Sequence, residues 1–221
     1  MIKKIIGMIH LWRIRWANAD QIKDVINQAL YDLMQLEQGG IDSACIINES
    51  DTPYQITISS QEKEAFLEIA KEIKKKSQIE LGVCVLYNDR KATLDIAHEI
   101  DAKFVRIDTF VDLVESDAGI IYPEADKIIE YQKQIWAQDI LLLTDVQPKY
   151  KKMIEDKSLS ESIKQAFEKG SNGVIITGNH SGDPVEISNI THMDNIASWI
   201  YIWSWITSQN IESYRNYIDW A

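Results

Sequence analysis

Arg106 and Asp108 stand two apart at the end of a short apolar run, Phe104–Ile107, that reads as a β-strand. A spacing of two puts both side chains on one face of a strand. A guanidinium held beside a carboxylate there is a fixed positive fork for a carboxylate or phosphate. The other strand-like runs also end on polar residues: His10, Asn48, Asn88 with Asp89, Asp145, Thr177 and Ser204, with Lys149 four positions after Asp145. Carboxylates, an ammonium, an imidazole and amides are the groups that general acid–base chemistry and anion binding use. Thr177-Gly178-Asn179-His180-Ser181-Gly182 is a polar loop whose backbone N–H groups can cradle an anion, although Gly178 and Gly182 alone are a weak signal. For any one of these residues a helix cap or a structural ion pair is the favoured explanation; for the set as a whole, function is. Other chemistry is thin. The four histidines, His10, His98, His180 and His192, lack metal-ligand spacing, and there is no P-loop, nucleophile elbow or C-x-x-C. Neither a metal nor a cofactor is expected.

The elements that must position these residues alternate along the chain. Strands are predicted at Ile5–His10, Ala44–Asn48, Ile79–Leu86, Phe104–Ile107, Ile140–Thr144, Gly173–Thr177 and Trp199–Ile202. Helices are predicted at about 19–38, 60–76, 91–100, 124–136, 160–169 and 208–217. Ser59 and Glu62 fit a capping box, Lys74–Lys76 suit a helix C-terminus, and Gly39-Gly40 a helix stop. A final run, Ile218–Ala221, opens an eighth period. Strict alternation implies a parallel sheet with right-handed crossovers. The expected fold is a (β/α)8 TIM barrel, incomplete in its eighth unit, as one domain over residues 1–221. The runner-up, an open doubly wound sheet, lacks its glycine-rich first turn, since His10-Leu11-Trp12 is unlike G-x-G-x-x-G. In a barrel the C-terminal strand ends form one mouth.

Composition narrows the function classes. Apolar residues make up 45% and charged residues 26% of 221, which excludes a disordered tail or a disulfide scaffold. A net charge of −11 repels phosphate backbones and anionic lipids, so neither nucleic acid nor a polybasic membrane anchor is expected. No apolar run approaches the ~20 residues of a membrane span. Met1–Leu11 lacks a cleavage site, and Cys45 and Cys84 read as reduced core thiols, so a cytoplasmic protein is expected. Nine glycines fall short of the ~15 expected, by about the number of tryptophans, seven.

Several ordered motifs resemble the BtpA/SgcQ family: Ile6-Gly7-Met8-Ile9-His10-Leu11, Asp51-Thr52-Pro53-Tyr54, Val85-Leu86-Tyr87-Asn88-Asp89, Phe104-Val105-Arg106-Ile107, Asp117-Ala118-Gly119-Ile120-Ile121, Thr144-Asp145-Val146-Gln147-Pro148-Lys149 and the Thr177–Pro184 stretch. The resemblance implies a barrel of the ribulose-phosphate-binding type. It also implies two competing functions. One is binding or converting a small phosphorylated sugar or nucleoside, with Asn88, Arg106, Asp108, Asp145 and Lys149 as catalytic candidates. His10, Asn48, Thr177, Gly178, Gly182 and Ser204 are then ligand-binding candidates. The other is a non-catalytic biogenesis factor for a membrane complex of the photosystem I type. A homo-oligomer is compatible with either.

The chain departs from that family at Tyr87, where the family has arginine, at Asp108 (asparagine) and at Tyr150 (histidine). Trp16, Trp136, Trp203, Trp205 and Trp220 stand on family glycines. UGA is read as glycine by some bacteria and as tryptophan in other code tables, so several of these tryptophans are expected to be glycine codons, with genuine divergence as the alternative. A Trp203-Ser204-Trp205 turn should block the phosphate that a Gly-Ser-Gly turn admits close to its backbone.

Overall fold

The computed structural model describes residues 5–178 and 200–203 of the chain. They form two compact units: Ile5–Arg106 with Glu130–Ile140, and Ile107–Ile129 with the described residues from Leu141 onward.

In the first unit β1 (Ile6–His10), α1 (Ala19–Gln38), β2 (Ser43–Ile47), α2 (Ser60–Lys76), β3 (Glu80–Cys84), α3 (Arg90–Glu99) and β4 (Phe104–Ile107) alternate. The strands pair in sequence order and in parallel, with Met8 opposite Cys45, Cys45 opposite Gly82 and Gly82 opposite Phe104. Every residue of β2 is buried, as expected of a parallel strand covered on both faces. The helices form where the sequence signals them. Asn18 caps α1 reciprocally with Gln21, and Ser59 caps α2 reciprocally with Glu62, each satisfying N–H groups that the first turn leaves open. Ile22, Val25, Ala29 and Leu33 recur every three or four residues and give α1 its buried stripe, while Phe66, Ile69, Ala70 and Ile73 do so for α2. Burial of a side chain such as Phe66 contributes about 2–3 kcal/mol. Gly82 is required by packing: a Cβ there would meet the Phe104 ring at 2.1 Å.

The second unit contains β5 (Val114–Ser116), β6 (Gly119–Ile121), β7 (Leu141–Asp145), β8 (Lys152–Met153), α5 (Leu159–Glu168), β9 (Gly173–Thr177) and β10 (Ile200–Trp203), while α4 spans Ala125–Gln134. β7, β9 and β10 pair in parallel, with Thr144 opposite Val174 and Tyr201 opposite Ile175. β9 needs Gly173 for the reason β3 needs Gly82, since a Cβ there would meet the Tyr201 ring at 2.5 Å. β5, β6 and β8 form a small antiparallel sheet that the sequence reading does not foresee. The expected helix at 208–217 and the run 218–221 lie outside the described residues.

Four helices end alike. The first residue past the cap, Gly40, Asp101, Trp136 or Gly170, takes positive φ (74°, 50°, 59° and 98°). Its N–H bonds three residues back, and the next N–H bonds five back, as in Trp136 N to Lys133 O and Ala137 N to Gln132 O. This is the Schellman arrangement, which favours glycine. Trp136 therefore occupies a glycine-type position, and Trp16, at φ 61°, occupies another. Both indoles are exposed, at 81% and 78%.

Candidate functional site

At the strand ends of the first unit, Asn48 is 1% exposed and spends both ends of its amide on one residue. Its Oδ1 accepts the Leu86 N–H at 2.7 Å, and its Nδ2 donates to the Leu86 carbonyl at 3.5 Å. The side chain thereby ties the end of β2 to the connection after β3. Asp89 accepts the Ala92 N–H at 3.0 Å as the α3 cap and the Ile58 N–H at 2.9 Å, so the helix-cap alternative is the right one for this residue. Asn88 and Arg106 are buried, at 5% and 6% exposure, whereas His10 is exposed at the end of β1.

A second cluster in this unit is absent from the sequence-level site. Asp51 Oδ1 accepts the N–H groups of Ile14 and Arg15 at 2.9 and 3.0 Å. Arg15 bonds Glu62 Oε1 and the Pro53 carbonyl, each at 2.6 Å, and Arg13 bonds the Thr52 carbonyl. These bonds join the β1–α1 and β2–α2 connections. Burial opposes ionisation of Glu62, but hydrogen bonds from Arg15 and Ser59 outweigh it and hold the carboxyl below its usual range. A cavity of about 520 Å³ opens here, lined by Arg15, Trp16, Ile22, Glu62 and Glu68 among others. The D-x-P-[FY] motif contains Asp51, but nothing local in the sequence links it to Arg15.

In the second unit Asp108, just past β4, forms an ion pair with Lys151, whose side chain is 1% exposed. Lys151 also donates to Thr109 Oγ1 at 3.4 Å. Asp145, the last residue of β7, is 1% exposed. The Lys149 N–H donates to Thr177 Oγ1 at 3.2 Å, which fixes the connection after β7 on the end of β9, where Gly178 is buried. Gly182 and Ser204 lie outside the described residues, as does Trp205.

Two non-glycine residues of that connection, Gln147 and Tyr150, take positive φ (45° and 60°). Asp112 holds the first in place: its Oδ2 accepts the Gln147 N–H at 2.7 Å while its Oδ1 takes Ser162 Oγ at 2.7 Å and Lys157 Nζ at 2.8 Å. Sequence reasoning chose Lys149 and missed Lys151, because a lysine after a strand carries no sign of its burial. Positioned cations beside carboxylates at strand ends can bind an anion and stabilise developing negative charge. Among the described residues no group of three His, Cys, Asp or Glu could hold a metal ion, and no helix is long and apolar enough to cross a membrane.

The chain matches the BtpA family over residues 1–221. It is 27% identical to an uncharacterised protein of Pyrococcus furiosus over 98% of this chain and 83% of that one. It is 25% identical to the photosystem I biogenesis protein BtpA of Synechocystis sp. over 94% of this chain and 74% of that one. Among solved structures it is similar to the N-acetylmannosamine-6-phosphate 2-epimerase of Clostridium perfringens, with a TM-score of 0.61 at 11% identity over 98% of this chain and 85% of that one. It is also similar to the phosphoribosylanthranilate isomerase of Thermotoga maritima, with a TM-score of 0.56 at 12% identity over 98% and 83%. The fold is thus that of a (β/α)8 barrel. At such identities the likeness concerns the fold alone.

Proposed function

The chain belongs to the BtpA family, and on that footing we propose that it binds or converts a small phosphorylated sugar or nucleoside at the C-terminal ends of its parallel strands. The observation that carries this reading is the burial of charge at those ends in the second unit: Asp145, and the Asp108–Lys151 pair. A buried ion pair is a poor source of stability, since desolvation offsets its attraction, and barrels place their chemistry at this end of their strands. In the second unit Lys149 meets the anionic group in this reading, and Asp145 and Asp108 exchange protons with the reacting carbon or oxygen, with Thr177 and Gly178 as ligand contacts. In the first unit Arg106 and Asn88 are catalytic candidates and His10 and Asn48 ligand-binding candidates; Gly182 and Ser204, also ligand-binding candidates, lie outside the described residues. The solved relatives in fold whose names include a phosphorylated substrate support the ligand class only by analogy. The buried thiols Cys45 and Cys84 suit a reducing compartment and hence the cytoplasm.

A second reading, a non-catalytic assembly factor, is favoured by one observation, the name of the Synechocystis relative. Asp145→Ala and Arg106→Ala separate the two. A metabolite-binding protein loses its ligand response with its fold intact, whereas an assembly factor retains its partner and shows no such loss.

A further inference from the structure

The connections after β2 and β3 carry an aromatic pair that the strand-end residues do not explain. The rings of Tyr54 and Tyr87 lie with centroids 4.6 Å apart and planes tilted by 41°. Both residues are only half-buried, unlike a core pair. Each residue is tethered, Tyr54 by its phenol and Tyr87 by its backbone. Tyr54 Oη donates to the Glu49 carbonyl at 2.6 Å, and the Tyr87 N–H donates to the Gln55 carbonyl at 2.9 Å. Leu86, next to Tyr87, is gripped at both its N–H and its carbonyl by Asn48. The Tyr54 ring and the backbone that carries Tyr87 are therefore ordered in advance, which lowers the cost of ordering for a ligand that covers the pair. Burial, and after it the charge of Glu49, pushes the Tyr54 phenol far above its usual range, with Asp51 adding to the effect.

We infer that Tyr54 and Tyr87 form a stacking platform for the heteroaromatic base of a nucleoside-type ligand. The platform rests on the proposed function for the ligand's phosphate but not for its ring, and it selects the nucleoside over the bare sugar phosphate. Isothermal titration of the chain with adenosine, ribose 5-phosphate, AMP and UMP tests it, repeated with Tyr87→Leu and Tyr87→Phe. One stacked base is worth on the order of tenfold or more in affinity. The expected result is that a nucleotide binds the unmodified chain at least about tenfold more tightly than ribose 5-phosphate. Tyr87→Leu should abolish that margin while leaving ribose 5-phosphate affinity unchanged, and Tyr87→Phe should keep it. If ribose 5-phosphate binds and neither nucleotide binds more tightly, the platform is overturned and the phosphorylated-ligand reading survives. If adenosine binds and no phosphorylated compound does, the platform stands and that reading falls. Failure of all four overturns both. Should Tyr87→Leu not fold, the margin measured on the unmodified chain remains decisive.

Discussion

A single backbone angle gives Trp136 its significance. An L-residue in the left-handed region costs about 1–2 kcal/mol, and the other Schellman positions in this chain fall on Gly40, Gly170 and Asp101, types that tolerate it. Because the indole is 81% exposed, little packing is lost on removing it. Trp136→Gly is expected to raise stability by about 0.5–1 kcal/mol after the greater freedom of glycine in the unfolded chain is deducted. That corresponds to a rise of about 1–3 °C in Tm, read by differential scanning calorimetry; a lower Tm would count against the assignment. Trp16→Gly should gain less, since the Arg15 guanidinium lies 5.9 Å from the Trp16 ring centre. At the gene level UGA is expected at codons 16 and 136, and UGG at both would end the glycine reading. The Lys151–Asp108 pair yields a prediction of opposite sign. Lys151→Met removes the buried ammonium from beside the Asp108 carboxylate and should cost about 3–5 kcal/mol in urea unfolding. Adding Asp108→Asn should recover most of that loss, and a double variant as unstable as the single one would show that the pair is not coupled.

Among the elements, α2 makes the clearest pH-dependent contribution. Its N-terminal Glu62 is held ionised by Arg15 and Ser59. A carboxyl depressed in the folded state contributes stability that is fully present above its unfolded value, near 4.5, and is lost as pH falls through the folded value. Glu62→Gln should lower stability at neutral pH and flatten its decline below about pH 4.5, measured as urea midpoints across the acid range. An unchanged acid slope would show that Glu62 is not the group responsible.

The same helix shows how much was legible in advance. The Ser59/Glu62 box and the lysines at 74–76 mark both of its ends within a residue, because capping is local chemistry written at fixed spacing. Phe104–Ile107 and Gly173–Thr177 were found with their bounds intact for a similar reason, since a buried parallel strand is a short apolar run between turn residues. The antiparallel strands β5, β6 and β8 are two or three residues long and present no period to read. At the candidate site the position of Asp108 and Asp145 at strand ends was legible, whereas the contacts of Arg15, Asp51 and Lys151 were not. Their roles depend on partners 36 or more positions away, and no pattern in one sequence records that.

For the molecule as a whole the −11 net charge sharpens the problem of an anionic ligand. An acidic protein that binds a phosphorylated metabolite must concentrate its cations locally, and in the second unit Lys149 and Lys151 follow the end of β7. Membership of the BtpA family and a barrel fold are compatible with either an enzyme or an assembly factor, since a fold carries many functions. Ligand binding separates them through mass action, because a compound that binds only the folded state at about 100 times its Kd stabilises that state by about 2.7 kcal/mol. The most direct measurement is a thermal-shift titration with a panel of sugar phosphates and nucleotides. It compares the unmodified chain, its Asp145→Ala variant and a Trp203→Gly/Trp205→Gly variant. At least one phosphorylated compound should raise the Tm of the unmodified chain. The shift should grow when glycine replaces the two tryptophans and disappear in the Asp145→Ala variant, which should still unfold cooperatively. A Tm that no phosphorylated compound moves, in either the unmodified chain or the glycine variant, would contradict the account.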